Sequence, residues 1–203
     1  MVCYRGSFQE QLLSIAIEVG NRVGQERAYG NLGIAYCCLG QFRQAIEYLK
    51  QCLSIAIEVG DRAGQGRAYG NLGIAYRCLG QFQQAIEYQK QHLSVAIEVG
   101  DRAGQGRAYA SLGNAYDGLG QFQQALEYQK QCLNIAIEVG DRALQRCAYG
   151  NLGDAYLHLE EFEQSMKHHK QELRIAIEVG DRAGEGTVYG RLGSVYLSLG
   201  CAL

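Results

Sequence analysis

Tyr69, Leu72 and Tyr76 fall at i, i+3 and i+7, the spacing of an apolar stripe on one face of a helix. Phe82, Ala85, Ile86, Leu93, Ala96 and Ile97 form a second stripe of the same kind. Asp61 precedes the first stripe, with a side chain suited to capping free amides at a helix start. Gly80 and Gly100 follow the two stripes, where a left-handed residue can stop a helix. The pattern predicts one helix from just after Asp61 to near Leu79 and another from near Phe82 to just before Gly100. Each holds about 17–19 residues, roughly 25–28 Å at 1.5 Å per residue. Short glycine turns between helices of similar length make them antiparallel neighbours.

The same pair of stripes returns every forty residues. Asp61–Gly100 recurs nearly unchanged as Asp101–Gly140, and looser copies run over Asn21–Gly60 and Asp141–Gly180. A fixed period of this size marks a stacked repeat array, in which each unit buries its apolar face against its neighbours. The expected organisation is a single array: full repeats at 21–60, 61–100, 101–140 and 141–180, flanked by half repeats at 1–20 and 181–203. Ending mid-unit, the chain is expected to be part of a longer array or cut from one. Tyr189, Leu192 and Tyr196 of the last helix are accordingly expected to be only partly covered. Gly73 and Gly113 sit inside helices at a cost of about 1 kcal/mol each relative to alanine. They are expected where the two helices of a hairpin approach most closely.

Tyr69, Leu72, Gly73, Tyr76, Ala85 and Tyr88 stand at spacings that resemble the tetratricopeptide repeat. The sets Tyr109, Leu112, Gly113, Tyr116, Ala125, Tyr128 and Tyr29, Leu32, Gly33, Tyr36, Ala45, Tyr48 repeat it. The period departs from the common 34 residues, and the proline usual near the end of the second helix is missing, since the chain has no proline. The forty-residue unit is similar to those of the LGN/Pins polarity scaffolds and related large repeat proteins. The resemblance implies an all-α fold, a right-handed α-solenoid of antiparallel helical hairpins. It also implies a cytoplasmic adaptor, at the cell cortex, that binds an extended peptide in a concave groove. The G-protein-binding motifs of that branch have no counterpart here.

In this class the first helix of each unit lines the groove, which assigns to it Arg67, Gly70, Asn71, Ile74, Arg77 and Cys78. In the next unit the same places hold Arg107, Ala110, Ser111, Asn114, Asp117 and Gly118. The two units differ at nine of forty positions, and five of the nine are groove positions. Between the third and fourth units all six change, from Arg107 to Cys147 through Gly118 to His158. A copied frame with a diverging inner face is the pattern of a surface specialised for a ligand; relaxed constraint on exposed residues is the alternative. Arg27, Arg67 and Arg107 make a ladder of one guanidinium per unit, with Asn31, Asn71 and Asn151 a helical turn later and Arg191 in the asparagine place of the last unit. Asparagine can donate to and accept from a peptide backbone, and arginine can grip a carboxylate with two bonds. The predicted ligand is therefore an extended acidic peptide segment. Solvated surface charge, paired with residues such as Glu58 or Glu98, is the alternative.

Composition adds exclusions. A net charge of −2 gives no global sign of nucleic-acid binding. No apolar run approaches the roughly 20 residues of a membrane span. The first five residues do not read as a secretory leader, and Cys201 is too near the end for a prenylation box. The eight cysteines include no C-x-x-C pair, and several reoccupy one repeat position: Cys38 with Cys78, and Cys52 with Cys132, with His92 between the latter. Reduced thiols at packing or surface sites are expected. His168, His169 and Glu172 offer too few ligands for a metal and read as a surface polar cluster. Cys37-Cys38 lacks a base, and the glycine-rich DRAGQG lies between helices rather than after a strand. No catalytic residues, metal or cofactor are expected. Three functions remain: a peptide-binding scaffold, a module that associates through its open ends, and the sensor repeats of a larger signalling protein.

Overall fold

The computed structural model describes residues 2–201, with side chains from 8 to 200. Ten α-helices follow one another: α1 (Val2–Glu18), α2 (Arg22–Cys38), α3 (Phe42–Glu58), α4 (Arg62–Cys78), α5 (Phe82–Glu98), α6 (Arg102–Gly118), α7 (Phe122–Glu138), α8 (Arg142–His158), α9 (Phe162–Glu178) and α10 (Arg182–Cys201). The described residues contain no strand, and the fold class is all-α, a solenoid of antiparallel helical hairpins. None of these helices is long and apolar enough to cross a membrane.

One junction, used throughout, stops and restarts the helices. Each glycine from Gly20 to Gly140 that follows a helix, and Gly180, takes a φ between 67° and 73°. Just beyond it an amide reaches back to the helix end, Gln41 to the Tyr36 carbonyl and Asp61 to that of Ala56, both at 2.9 Å. Where the next helix is the first of a hairpin, the residue after the glycine caps it. The side chains of Asn21, Asp61 and Asp141 accept from the amides of Gly24, Gly64 and Leu144 at 2.9 Å. Buried Gln25, Gln65 and Gln145 lock the same turn by donating to the carbonyls of Ala16, Ala56 and Ala136 at 3.0, 3.2 and 2.9 Å. Glu160 stands where the other turns have glycine and is the one non-glycine at positive φ among the described residues, at 59°.

The chain divides into two compact units, Met1–Asp101 and Arg102–Leu203. In the first, α1 to α5 pack in sequence order, and α2 also touches α4. In the second, α6 to α10 do the same, with α8 touching both α6 and α10. Leu32, Leu49, Leu72 and Ile86 are fully buried in the first unit, and Leu112, Leu152, Val188 and Val195 in the second. An aromatic cluster joins the helices of each hairpin: Tyr76 stacks on Tyr88 at 5.2 Å between ring centroids, and Tyr69 tilts against it at 6.3 Å.

Two expectations change. Ile97, assigned to the second helix's inner stripe, is exposed, as are Ile57, Ile137 and Ile177 at the same place. The neighbouring Val95 and Ala96 already fill the core there, so the next residue points outward. Leu192 is buried, whereas Tyr189 and Tyr196 are exposed as expected. Gly73 and Gly113 do lie at close contacts, but the neighbour is a side chain. A Cβ at either would run into the carboxamide of Gln89 or Gln129, which lies fully buried across the glycine.

Candidate functional site

Each unit carries an open cavity, and the two are built from the same repeat positions. In the first unit, helices α2 and α4 supply Arg27, Gly30, Asn31, Ile34, Arg67 and Asn71 around a space of about 270 Å³. Cys52 of α3 lies in its floor and Glu26 at its edge. In the second unit, Asn114, Cys147, Asn151, Thr187 and Arg191 line about 250 Å³, with Glu172 of α9 in the floor and Arg146 at the edge. Cys147 and Thr187 stand where the first cavity has Arg27 and Arg67, Glu172 replaces Cys52, and Arg146 replaces Glu26. One site has thus been built twice with its charges rearranged.

The first cavity is rimmed by guanidinium groups. Arg67, exposed, lies 3.3 Å from Asp61 and 3.6 Å from the buried Glu26. Burial, and then the charge of Asp61, raise the Glu26 carboxyl above its ordinary value, while Arg67 and Arg27 oppose the rise. Cys52 contributes an apolar floor, since burial pushes its thiol up to about 11. Asn31 donates to the Gln9 side chain at 3.2 Å.

A polar network runs through the wall of the second cavity and beneath it. Asn151 donates to Asn114 at 2.8 Å, and Gln129 donates to the same Asn114 oxygen at 2.9 Å. Arg191 bridges Glu172 at 2.7 Å and Asp154 at 3.4 Å. His169, fully buried beneath Gly153, hydrogen-bonds Glu172 at 3.1 Å and faces Asp154 at 3.6 Å. Burial raises the Asp154 carboxyl, although Arg191 and His169 pull it down. Gly150 leaves the room in which the Arg191–Glu172 pair sits.

The family model of the tetratricopeptide repeat matches residues 7–58, 24–98, 64–138 and 144–200. The chain belongs to the tetratricopeptide repeat family. No curated protein matches the sequence. Among solved structures, BtubC (BKLC) from P. vanneervenii is similar with a TM-score of 0.84 at 19% identity, over 98% of this chain and 84% of that one. Aspartyl phosphate phosphatase F from Bacillus subtilis gives 0.85 at 16% identity, over 95% of this chain and 52% of its own. A Signal Transduction ATPase with Numerous Domains that has a tetratricopeptide repeat sensor, from Pyrococcus horikoshii, gives 0.79 at 18%, over 87% and 28%. At these identities the likeness is one of fold.

Within this tetratricopeptide repeat chain, Arg27, Asn31, Arg67 and Asn71 come together in the first cavity, and Asn114, Asn151 and Arg191 in the second. Arg77, half-buried in the last turn of α4, and Arg107, exposed on α6, line neither. Glu58 and Glu98 pair with Arg22 and Arg62, a helix-start position, and not with the groove arginines. The cluster of His168, His169 and Glu172 is not a surface feature: His169 and Glu172 are buried and His168 half-buried. The cause is position, because His169 occupies the place of the buried Leu49, Gln89 and Gln129. Among the described residues no group of three or more such side chains could hold a metal ion. Glu26 and Arg146 lie outside the groove positions read from the sequence, and Asp154 is among them without having been singled out. The available signal was a charge at places that hold Gly66 and Gly106, or Ile34 and Ile74, in other units.

Proposed function

We propose that the chain is a non-enzymatic interaction scaffold whose two cavities hold extended peptide segments. The observation that supports this most is the coincidence of cavity and divergence. Of the positions that change between the near-identical repeats 61–100 and 101–140, those of Gly70, Asn71, Ile74 and His92 line the first opening. Those of Asn71, Ile74 and His92 line the second, whereas those of Arg77 and Cys78 line neither. Paired amides suit a peptide backbone, because Asn71 in the first cavity and Asn151 in the second can each donate and accept. Acidic selectivity belongs to the first cavity, where Arg27 is exposed and Arg67, although 3.3 Å from Asp61, keeps 64% of its side chain exposed. In the second, Arg191 is already held by Glu172 and Asp154, so an acidic residue there would have to displace them.

The test is a titration of labelled peptides chosen from an array, against the chain and an Arg27→Glu, Arg67→Glu double variant. Each exposed pair contributes only about 0.2–1 kcal/mol, and reversal adds repulsion. The expected outcome is a loss of roughly tenfold or more in affinity for acidic peptides with helical content retained. Equal affinity of the two proteins would refute the assignment of the first cavity.

A further inference from the structure

The exposed faces of α1 and α10 are the two halves of one hairpin. Residues 13–20, the end of α1 and its turn, repeat 53–60 letter for letter, so α1 has the register of α3 and α5, while α10 has that of α2 and α4. Inside the chain these two kinds of helix always pack as a pair, α2 on α3, α4 on α5, α6 on α7 and α8 on α9.

The contacts of that pair are specific. Tyr69 and Tyr76 close on Tyr88. Gln89 lies over Gly73 and donates to the Gly70 carbonyl at 2.9 Å. Val95 would stand 3.2 Å from a Cβ on Gly66. Arg62 donates through Nε to Glu98 at 2.9 Å, while its other end holds Gln65.

Every one of these partners has a counterpart at the two ends, and most of them are exposed. Tyr189 and Tyr196 are 58% and 56% exposed, and the aromatic that would meet them, at the Tyr88 position, is Phe8, 64% exposed. Gly186, Gly190 and Gly193 have nothing within 4 Å of a Cβ, unlike Gly66, Gly70 and Gly73. Gln9 stands in the Gln89 position; its oxygen accepts from Asn31, which leaves its amide hydrogens for a carbonyl such as that of Gly190. Ile15, in the place of Val95, is 57% exposed. Arg182 holds Glu185 with one nitrogen, as Arg62 holds Gln65, and its missing acidic partner is Glu18.

We propose that α10 of one copy docks on α1 of a second copy, completing a hairpin of the kind found inside the chain. An unrelated apolar partner would bury the tyrosines, but it would not supply the glutamine over Gly193 and the carboxylate for Arg182. The contact is head to tail, so a joined pair still presents one free face of each kind and assembly continues past the dimer. Arg5 and Gly6 replace the Ala85 and Ile86 of the interior pattern, so the contact rests on residues 8–18.

The test is sedimentation velocity of the 203-residue chain across a wide concentration range, without peptide. The average mass is expected to rise past that of a dimer. Gly193→Leu meets open space within its own chain, so it should fold and melt no lower than the parent yet remain monomeric. Phe8→Asp should do the same from the other side. An equal mixture of these two variants keeps one working face of each kind and should form a dimer and nothing larger. Arg182→Glu should weaken assembly, and mixing Arg182→Glu, Phe8→Asp with Glu18→Arg, Gly193→Leu should restore the dimer. A parent chain that stays monomeric, a Gly193→Leu chain that assembles normally, or a mixture that stays monomeric would overturn the proposal. The Arg27→Glu, Arg67→Glu variant should assemble like the parent, which separates this contact from the peptide cavities.

Discussion

His168 takes the place that Tyr48, Tyr88 and Tyr128 hold in the other hairpins, and it keeps their stacking, 5.3 Å from Tyr156 and 5.9 Å from Tyr149. The substitution keeps the shape and introduces a proton site. Burial, followed by the charges of Lys167, Lys130 and His169, pulls its pKa down to about 4. An unfolded imidazole takes its proton near 6.5. The stability this group contributes is therefore present above about 6.5 and is lost as pH falls towards about 4, by up to about tenfold in the folding equilibrium per pH unit. His168→Tyr is expected to shift acid unfolding to lower pH, read by circular dichroism across a pH series; an unmoved midpoint would contradict the assignment. Glycine offers a second test at this scale. Gly153 and Gly193 hold the same repeat position, but a Cβ on Gly153 meets the buried His169 ring and one on Gly193 meets nothing. Gly193→Ala should gain up to about 1 kcal/mol from helix propensity. Gly153→Ala should lose about 1–2 kcal/mol, because overpacking outweighs that gain. Equal melting temperatures for the two, measured in dilute solution, would show that the ring yields freely.

At the scale of the element, turns were legible because each is written in a short code: glycine to end one helix, then Asn or Asp where the next opens a hairpin and Gln or Glu where it completes one. Glu160 breaks that code and the backbone does not follow, keeping a left-handed residue where no glycine exists. The neighbouring hydrogen bonds, Glu160 to Leu157 at 3.0 Å and Glu161 to Tyr156 at 2.9 Å, hold it there. A side chain in this region costs about 1–2 kcal/mol, partly offset by the freedom glycine loses on folding. Glu160→Gly should raise stability by about 0.5–1 kcal/mol in chemical unfolding, and a lower midpoint would count against the strain. The grooves were less legible than the turns. Spacing places Arg67 and Arg191 on the inner helix but does not say which way a long side chain bends. Glu26, Asp154 and Glu172 reach those arginines from other turns and other helices. Stripe counting fails at Ile97 for a related reason. One residue past Ala96, it still fits an apolar pattern while pointing to solvent.

For the whole molecule, stability in stacked repeats comes largely from the interfaces between neighbours, so a helix with one neighbour is held less firmly than one with two. Within the second unit, α8 lies against α7 and α9 and also touches α6 and α10, whereas α10 lies against α9 and touches α8. The same tyrosines report the difference: Tyr156 of α8 is buried and Tyr196 of α10 exposed. Amides of residues 182–200 should therefore exchange ahead of those of 142–158 in dilute solution. If α10 is covered by α1 of another copy, the gap should narrow as concentration rises, and it should persist in Gly193→Leu at every concentration. Protection of α10 equal to that of α8 in dilute solution would mean that its local packing suffices alone. A gap independent of concentration in the parent chain would mean that the exposed tyrosines are left in water, and the head-to-tail contact would then have no role in holding this helix.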